Sequence, residues 1–254
     1  MKPDISVIIP VYNGKRFIEE AIHSALSQTD VNLEVLVIDD CSNDETPEIV
    51  KKLADTDDRL IYIRTESNMG VAGARNKGAE AASGDWLAFL DADDKWYSDK
   101  LSRQSELIKQ YESSGKYPPL CFTGAYLMKD DGSFTGRILH TPLRITSKEL
   151  LLGNVIVAST VMARRKCILE HPFERCDLHE DYIEWFRVLN EYGPGVGINQ
   201  PLIRYRLTKA SKSRNKLKSA HMVWRTYRYL GLSIWQSLVS FIYYVKHGLQ
   251  RYVL

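Results

Sequence analysis

Trp86-Leu87-Ala88-Phe89-Leu90-Asp91-Ala92-Asp93-Asp94 runs from an apolar stretch directly into three carboxylates within four positions. A short apolar run of this kind reads as a buried strand, and its abrupt acidic end as a strand terminus that meets solvent or a ligand. The same pattern recurs upstream. Ile5 to Val11 is a β-rich run bounded by Pro10 and the turn pair Asn13-Gly14, Leu33 to Ile38 ends in Asp39-Asp40, and Leu60 to Ile63 is a shorter third run. Between these segments Phe17, Ile18, Ala21, Ile22, Ala25 and Leu26 recur at helical spacing, Asn43-Asp44 caps a helix through about Ala54, and Ala72 to Ala82 reads as another helix. Strictly alternating strands and helices predict an α/β fold with a parallel sheet covered on both faces.

With 44% hydrophobic and 26% charged residues over 254 positions, the composition is that of an ordinary globular chain. Disordered, collagen-like and low-complexity architectures are excluded on that ground. The formal net charge of +2 conceals an asymmetry. The last acid is Glu191, and residues 192–254 carry eleven of the 34 Lys+Arg; the 23 that remain face all 32 Asp+Glu, a net of −9 in residues 1–191. An acidic body with a basic tail predicts two different partners. The four cysteines have no paired-motif spacing, and the N-terminus lacks a basic region and cleavage site, so a cytoplasmic, reducing environment is expected. Cys167, His171, Cys176 and His179 fit no common zinc spacing and are expected to be structural.

In open α/β sheets ligands bind beyond the carboxyl ends of the strands. Those ends carry Tyr12-Asn13, Asp39-Asp40 and Asp91-Ala92-Asp93, so three strand ends deliver polar or acidic groups to one edge. An acid after a strand most often caps the next helix, which suffices for Asp44. For Asp39-Asp40 and Asp91 to Asp94 capping alone is strained, because crowded carboxylates repel unless a cation sits among them. Hard oxygen ligands suit Mg²⁺ or Mn²⁺, which take one or two carboxylates plus substrate phosphates. There is no G-x-x-x-x-G-K-[ST] and no G-x-G-x-x-G after the first strand, so kinase-like and dinucleotide-dehydrogenase readings fall. Gly70 and Gly73 open the third helix, where backbone could approach a ligand or merely turn tightly.

Ser6 to Asn13, Glu34 to Asp44, Asn68 to Asn76 and Gly84 to Asp94 together resemble, in order and spacing, the inverting glycosyltransferases of family 2. That resemblance implies a GT-A fold: Rossmann-like, with a mostly parallel central sheet and helices on both faces. It implies that Pro10, Val11, Tyr12 and Asn13 border the nucleotide base, with Asp39, Asp40, Asn68, Gly73, Arg75, Asp91 and Ala92 also on the nucleotide-sugar, and Asp40 on a uracil-type edge. Asp91 and Asp93 match the family's D-x-D, with Asp93 and Asp91 holding Mn²⁺ or Mg²⁺ on the diphosphate. An inverting displacement needs a carboxylate to take the acceptor proton. His179-Glu180-Asp181-Tyr182 is similar to the family's E-D segment, which implies Asp181 as base and Glu180 as its neighbour. Arg204, Arg206, Lys209 and Ser211 lie where the family has a diphosphate-closing loop. Members often show Y-R-x-H there, but Thr208 occupies the His position, and the Q-x-x-R-W of processive synthases is absent.

These expectations divide the chain into a nucleotide-sugar half (residues 1–100), an acceptor half of the same domain (101–210) and basic amphipathic C-terminal helices (211–254). The stretch from Tyr229 to Val245 has no charge and is short for a span. Its projection puts Leu230, Ile234, Leu238, Phe241, Ile242, Val245 and Leu249 on one face and Ser233, Ser237, Ser240, Tyr244 and Arg251 on the other. Such a helix is expected to lie in a membrane interface, peripheral on the inner face of the cell membrane, or to dock on the protein's own core. Nucleic acid is not an expected partner, since no binding module is present. The expected activity is transfer of one sugar from a UDP-sugar to a polyprenyl-diphosphate-linked saccharide in bacterial surface-polysaccharide synthesis. The alternatives are a nucleotidyltransferase on a similar fold and a non-catalytic nucleotide-sugar sensor.

Overall fold

The computed structural model describes residues 2–208 and 216–253. Strands β1 (Ile5–Val11) and β2 (Leu33–Asp39) are buried along their whole length. Strands covered on both faces need apolar side chains on both, which is why these runs are continuous rather than alternating. β3 (Leu60–Arg64) and β4 (Trp86–Phe89) complete a parallel block in the order β3-β2-β1-β4, with Ile5 level with Leu33 and with Trp86. Helices α1 (Ile18–Leu26), α2 (Thr46–Ala54) and α3 (Gly70–Ala81) supply the crossovers. Asp44 lies one residue before the N-cap of α2, Glu45, and fixes the helix entry by accepting from the Thr46 backbone at 3.1 Å and its hydroxyl at 2.5 Å.

Beyond β4 the sheet becomes mixed. After β5 (Lys95–Trp96) and α4 (Lys100–Ser113), the long strands β6 (Leu120–Met128) and β10 (Gly195–Arg206) pair in parallel, joined to β4 through the antiparallel β9 (Met162–Arg164). β7 (Phe134–Leu139) and β8 (Arg144–Ile145) are short antiparallel additions. Ala158–Thr160 is a 3₁₀ turn, and the strand that follows it starts at Met162. The Ser159 hydroxyl accounts for the turn, because it accepts from the Asp91 backbone at 3.1 Å and donates to Asp94 at 2.6 Å.

Two apolar layers cover the sheet. One packs α1, α2 and α4 on one side; the other gathers Phe89, Phe122, Phe173 and Trp185 with α3, α5 (Ser147–Leu150), α6 (Arg165–Glu170) and α7 (Glu180–Tyr192). α8 (Lys216–Tyr229) extends the second layer with Val223 and Tyr227, and the Tyr227 hydroxyl donates to the Leu151 carbonyl at 3.0 Å.

α9 (Ile234–Val253) turns most of its apolar face outward instead of docking it on the protein's own core. Ser237 and Ser240 are buried and Tyr244 half-buried, while Ile234, Leu238, Ile242 and Val245 from the apolar projection are exposed together with Trp235. Of that projection Phe241 turns inward and packs on Trp224, ring centroids 5.9 Å apart. Serine and tyrosine carry no charge, so this hydroxyl face could be buried without stranding an ion. No helix among the described residues is long and apolar enough to cross a membrane.

Candidate active site

The carboxyl ends of β1 and β4, the start of α7 and the α8–α9 pair surround one cavity of about 770 Å³. From β1 come Pro10, Val11, Tyr12 and Asn13; from the end of β4 come Asp91, Ala92 and Asp93; Arg75 reaches in from α3. His179, Glu180 and Asp181 enter at the N-terminus of α7, and Arg206 and Thr208 at the end of β10. The cavity thus joins residues more than a hundred positions apart, which is what a site assembled on strand ends requires.

Arg75 is the hub. Its guanidinium is buried, with Nη2 2.8 Å from Asp91 Oδ1 and Nη1 3.3 Å from Glu180 Oε1, and it lies 5.4 Å from the centre of the Phe173 ring. Burial works against its charge, but Asp91, Glu180 and Asp181 outweigh burial and hold its pKa above the ordinary value. One cation therefore ties the acid at the end of β4 to the acids at the head of α7. Asp181, partly exposed on the cavity wall, accepts at 2.8 Å from the Tyr182 backbone N–H. Burial first, and then the adjacent Glu180, raise its carboxyl above the usual range.

The loop carrying Asp91 to Asp94 is pinned from behind. Asp94 is buried, accepting from the Ser159 hydroxyl at 2.6 Å and from the Arg206 backbone at 2.7 Å. Burial, then Asp93 and Asp91, push its carboxyl well above the normal range. Asp93 is pushed up to about 6, by burial and then by Asp91. Arg206 donates through Nε to the Asp93 carbonyl at 2.7 Å, through Nη1 to the Asp130 carbonyl at 3.1 Å, and through Nη2 to Glu20 at 2.6 Å.

Asp93, with its carboxyl raised by burial and by the neighbouring Asp91, is a group whose ionised form a divalent cation beside the two carboxylates would favour. Among the described residues no three His, Cys, Asp or Glu converge on one point. Two carboxylates fit Mg²⁺ or Mn²⁺ when a diphosphate and water complete the shell.

Other expected site residues stand outside the cavity wall. Asp39 is buried and accepts from Ser42 N–H at 2.8 Å, the Tyr62 hydroxyl at 2.6 Å and Arg64 at 2.8 Å. Asp40 accepts from the backbone N–H groups of Met69 and Gly70 at 2.8 and 2.7 Å, and from the Thr65 hydroxyl at 3.1 Å. Its carboxylate thus sits on the N-terminus of α3, where negative charge is favoured. Asn68 donates to the Asp40 carbonyl at 3.1 Å, and a Cβ on Gly73 would meet the Met69 side chain at 2.5 Å, so that glycine makes room for protein. Arg204 donates to the Tyr97 hydroxyl at 3.1 Å. Lys209 and Ser211 lie outside the described residues. Of the imagined zinc set, Cys167 is buried, His171 pairs with Glu191 at 2.7 Å, Cys176 is exposed and His179 lines the cavity.

Sequence reasoning missed the loop from Gly153 to Ala158, and Ser219, Val223 and Tyr244, all in the cavity wall. The loop carries no periodicity to betray it. For Tyr244 a signal existed: the polar face of its helix held hydroxyls and almost no charge, as suits a face turned toward protein.

Comparison with known proteins places this geometry. Residues 6–144 match Glycosyl transferase family 2. The chain is 34% identical over 251 residues to TuaG of Bacillus subtilis (strain 168), a glycosyltransferase assigned by name to teichuronic acid biosynthesis, covering 98% of each chain. It is 31% identical over 248 residues to WfaP of Escherichia coli, named a UDP-Glc:alpha-D-GlcNAc-diphosphoundecaprenol beta-1,3-glucosyltransferase, covering 98% of this chain and 95% of that one. The crystal structure of S. aureus TarS 1-349 with UDP-GlcNAc shares the fold at TM-score 0.70 and 18% identity, over 97% of this chain and 73% of the other. The match over more than half the chain, together with full-length relatives above 30% identity, shows that this protein belongs to glycosyltransferase family 2 and has its GT-A fold.

Proposed function

We propose that the chain moves one sugar from a UDP-sugar to a hydroxyl of a polyprenyl-diphosphate-linked saccharide, with inversion, during synthesis of a bacterial surface polysaccharide. The observation that carries this is the meeting in one cavity of Asp91 and Asp93 with Asp181, held in a common frame by Arg75. The names of TuaG and WfaP support the pathway class and the lipid-linked acceptor.

In this reading Tyr12 and its neighbours border the base, and Asp91 and Asp93 would hold Mn²⁺ or Mg²⁺. The metal supplies charge for the leaving diphosphate. Asp181 takes the proton from the acceptor hydroxyl as that oxygen attacks the anomeric carbon. Its raised carboxyl suits the task, because a base of higher pKa accepts that proton more readily while remaining ionised above its own pKa. Glu180, neutralised in part by Arg75, positions α7 and helps keep the Asp181 carboxyl raised. The exposed apolar face of α9 and the basic tail suit attachment to the inner leaflet, where such an acceptor is anchored.

The test is nucleotide diphosphate release from UDP-glucose with a prenyl-diphosphate-linked N-acetylglucosamine, with and without Mn²⁺, for wild type and Asp181→Asn. Metal-dependent release abolished in the variant supports the reading. Donor binding with no release from wild type across a panel of nucleotide-sugars and acceptors would sink it in favour of a sensor.

A further inference from the structure

The cavity is larger than the strand-end loops that the donor reading uses, and its remaining wall belongs to the C-terminal helices. Ser219 and Val223 of α8 and Tyr244 of α9 line it together with Tyr182, the residue after Asp181. Ser219 Oγ and Tyr244 Oη lie 3.2 Å apart, Ser219 being buried and Tyr244 half-buried. This wall is fixed rather than draped: Tyr227 of α8 packs edge-on against Tyr182 at 6.1 Å, and Arg225 pairs with Asp177 at 2.8 Å. We propose that the Ser219–Tyr244 pair is an acceptor subsite, where two hydroxyls and an aromatic ring hold the saccharide whose hydroxyl Asp181 deprotonates. This rests on the transfer reading above and adds to it the place where the acceptor binds.

The chemistry favours a saccharide over the charged end of the donor. The wall offers hydroxyls, an aromatic ring and apolar surface from Val223, while the carboxylates and Arg75 lie with the strand-end loops and α7. Two mutually bonded hydroxyls retain one free proton and spare lone pairs, so they donate to one sugar hydroxyl and accept from another. The other side of α9 presents Ile234, Trp235, Leu238 and Ile242 outward. One helix therefore faces the acceptor's sugar on one side and an apolar environment on the other, as a saccharide joined to a lipid requires.

The test compares wild type, Tyr244→Phe and Ser219→Ala, using UDP-glucose with prenyl-diphosphate-linked N-acetylglucosamine. Each variant should raise the acceptor KM about three- to tenfold, the equivalent of one lost neutral hydrogen bond. Donor affinity should stay at the wild-type value, and the melting temperature should fall by no more than about 6 °C, the loss of one hydrogen bond between the two helices. Unchanged acceptor KM in both variants, with turnover intact, overturns this proposal alone, as does an equal loss of donor affinity. Absence of nucleotide release from wild type, whichever sugar and acceptor are supplied, removes the transfer reading and this subsite with it.

Discussion

Replacing Arg75 by methionine keeps an unbranched side chain of similar length and deletes the cation between two acids. The side chain of Arg75 is 3% exposed, that of Glu180 9% and that of Asp91 30%. Breaking a buried pair by removing one partner costs about 3–5 kcal/mol, because the other charge is left without compensation. Asp91 can recover part of its solvation through the cavity and Glu180 has a further contact, so the low end of that range, about 3 kcal/mol, is expected. For a chain of this size each kcal/mol lowers the melting temperature by about 2–4 °C, giving a fall of roughly 6–12 °C. The second variant decides the cause. Arg75→Met with Glu180→Gln also removes the buried negative charge that Arg75 faced, and should recover about 1–2 kcal/mol relative to the single change, a coupling expected of residues in contact. Urea denaturation with matched slopes gives both differences. A loss below about 1 kcal/mol in the single variant, or a double variant no better than the single, refutes the hub reading of Arg75.

The pH profile of turnover carries the signature of Asp181. Only the ionised base accepts a proton, so the rate should rise with pH through a midpoint above the usual carboxylate range, and a midpoint at or below about 4 in acceptor-saturated rates would contradict the raised carboxyl. Glu184, fully buried with neither carboxyl oxygen hydrogen-bonded, is pushed by burial from 4.5 up to about 9. It stays protonated in the fold while the unfolded chain ionises it, so its contribution is complete below about 4.5 and is lost as pH rises toward 9. Glu184→Gln should therefore nearly match wild type at pH 5 and exceed it by up to about 4 kcal/mol at pH 8, about 1.4 kcal/mol for each pH unit between. Equal denaturation midpoints for the two proteins at both pH values would show that Glu184 is not held neutral.

Periodicity and strand-end position made the parallel block and the acids at the end of β4 legible, because both are local properties of the chain. What the acids do depends on partners that are distant in sequence. Asp40 stands at a strand end just as Asp91 does, yet its carboxylate also accepts from N–H groups of Met69 and Gly70, at the start of a helix that begins 30 positions later. Nothing local separates a carboxylate that caps a distant helix from one that faces a ligand. Ser159 shows the same limit in a smaller way. Its segment is apolar enough to read as a strand, but the hydroxyl's two bonds to the Asp91 loop hold it in a 3₁₀ turn. The resemblance puts Arg75 on the nucleotide-sugar, whereas its link to Glu180 spans 105 positions and emerges only from packing.

α9 carries the sharpest consequence of that limit. Amphipathicity reveals that a helix has two faces, and the default puts the apolar one inward. Here the inward face is Ser237, Ser240, Phe241 and Tyr244, leaving Trp235 76%, Ile234 66% and Ile242 59% exposed on contiguous turns. A patch of this kind calls for a partner. The sequence after Glu191 contains no acid, and Arg225, Arg228 and Lys246 are exposed, so an anionic bilayer matches both the apolar and the charged requirement. Trp235→Ser with Ile242→Ser changes side chains that already meet solvent, so the melting temperature should stay within about 2 °C of wild type, in line with the small effect of surface substitutions. Flotation with vesicles containing anionic lipid should fall at least tenfold, since each buried apolar side chain of this size is worth about 1.5–3 kcal/mol. Undiminished flotation would assign the patch elsewhere, and a protein dimer that dissociates in the double variant would identify a second copy of the chain as what covers it.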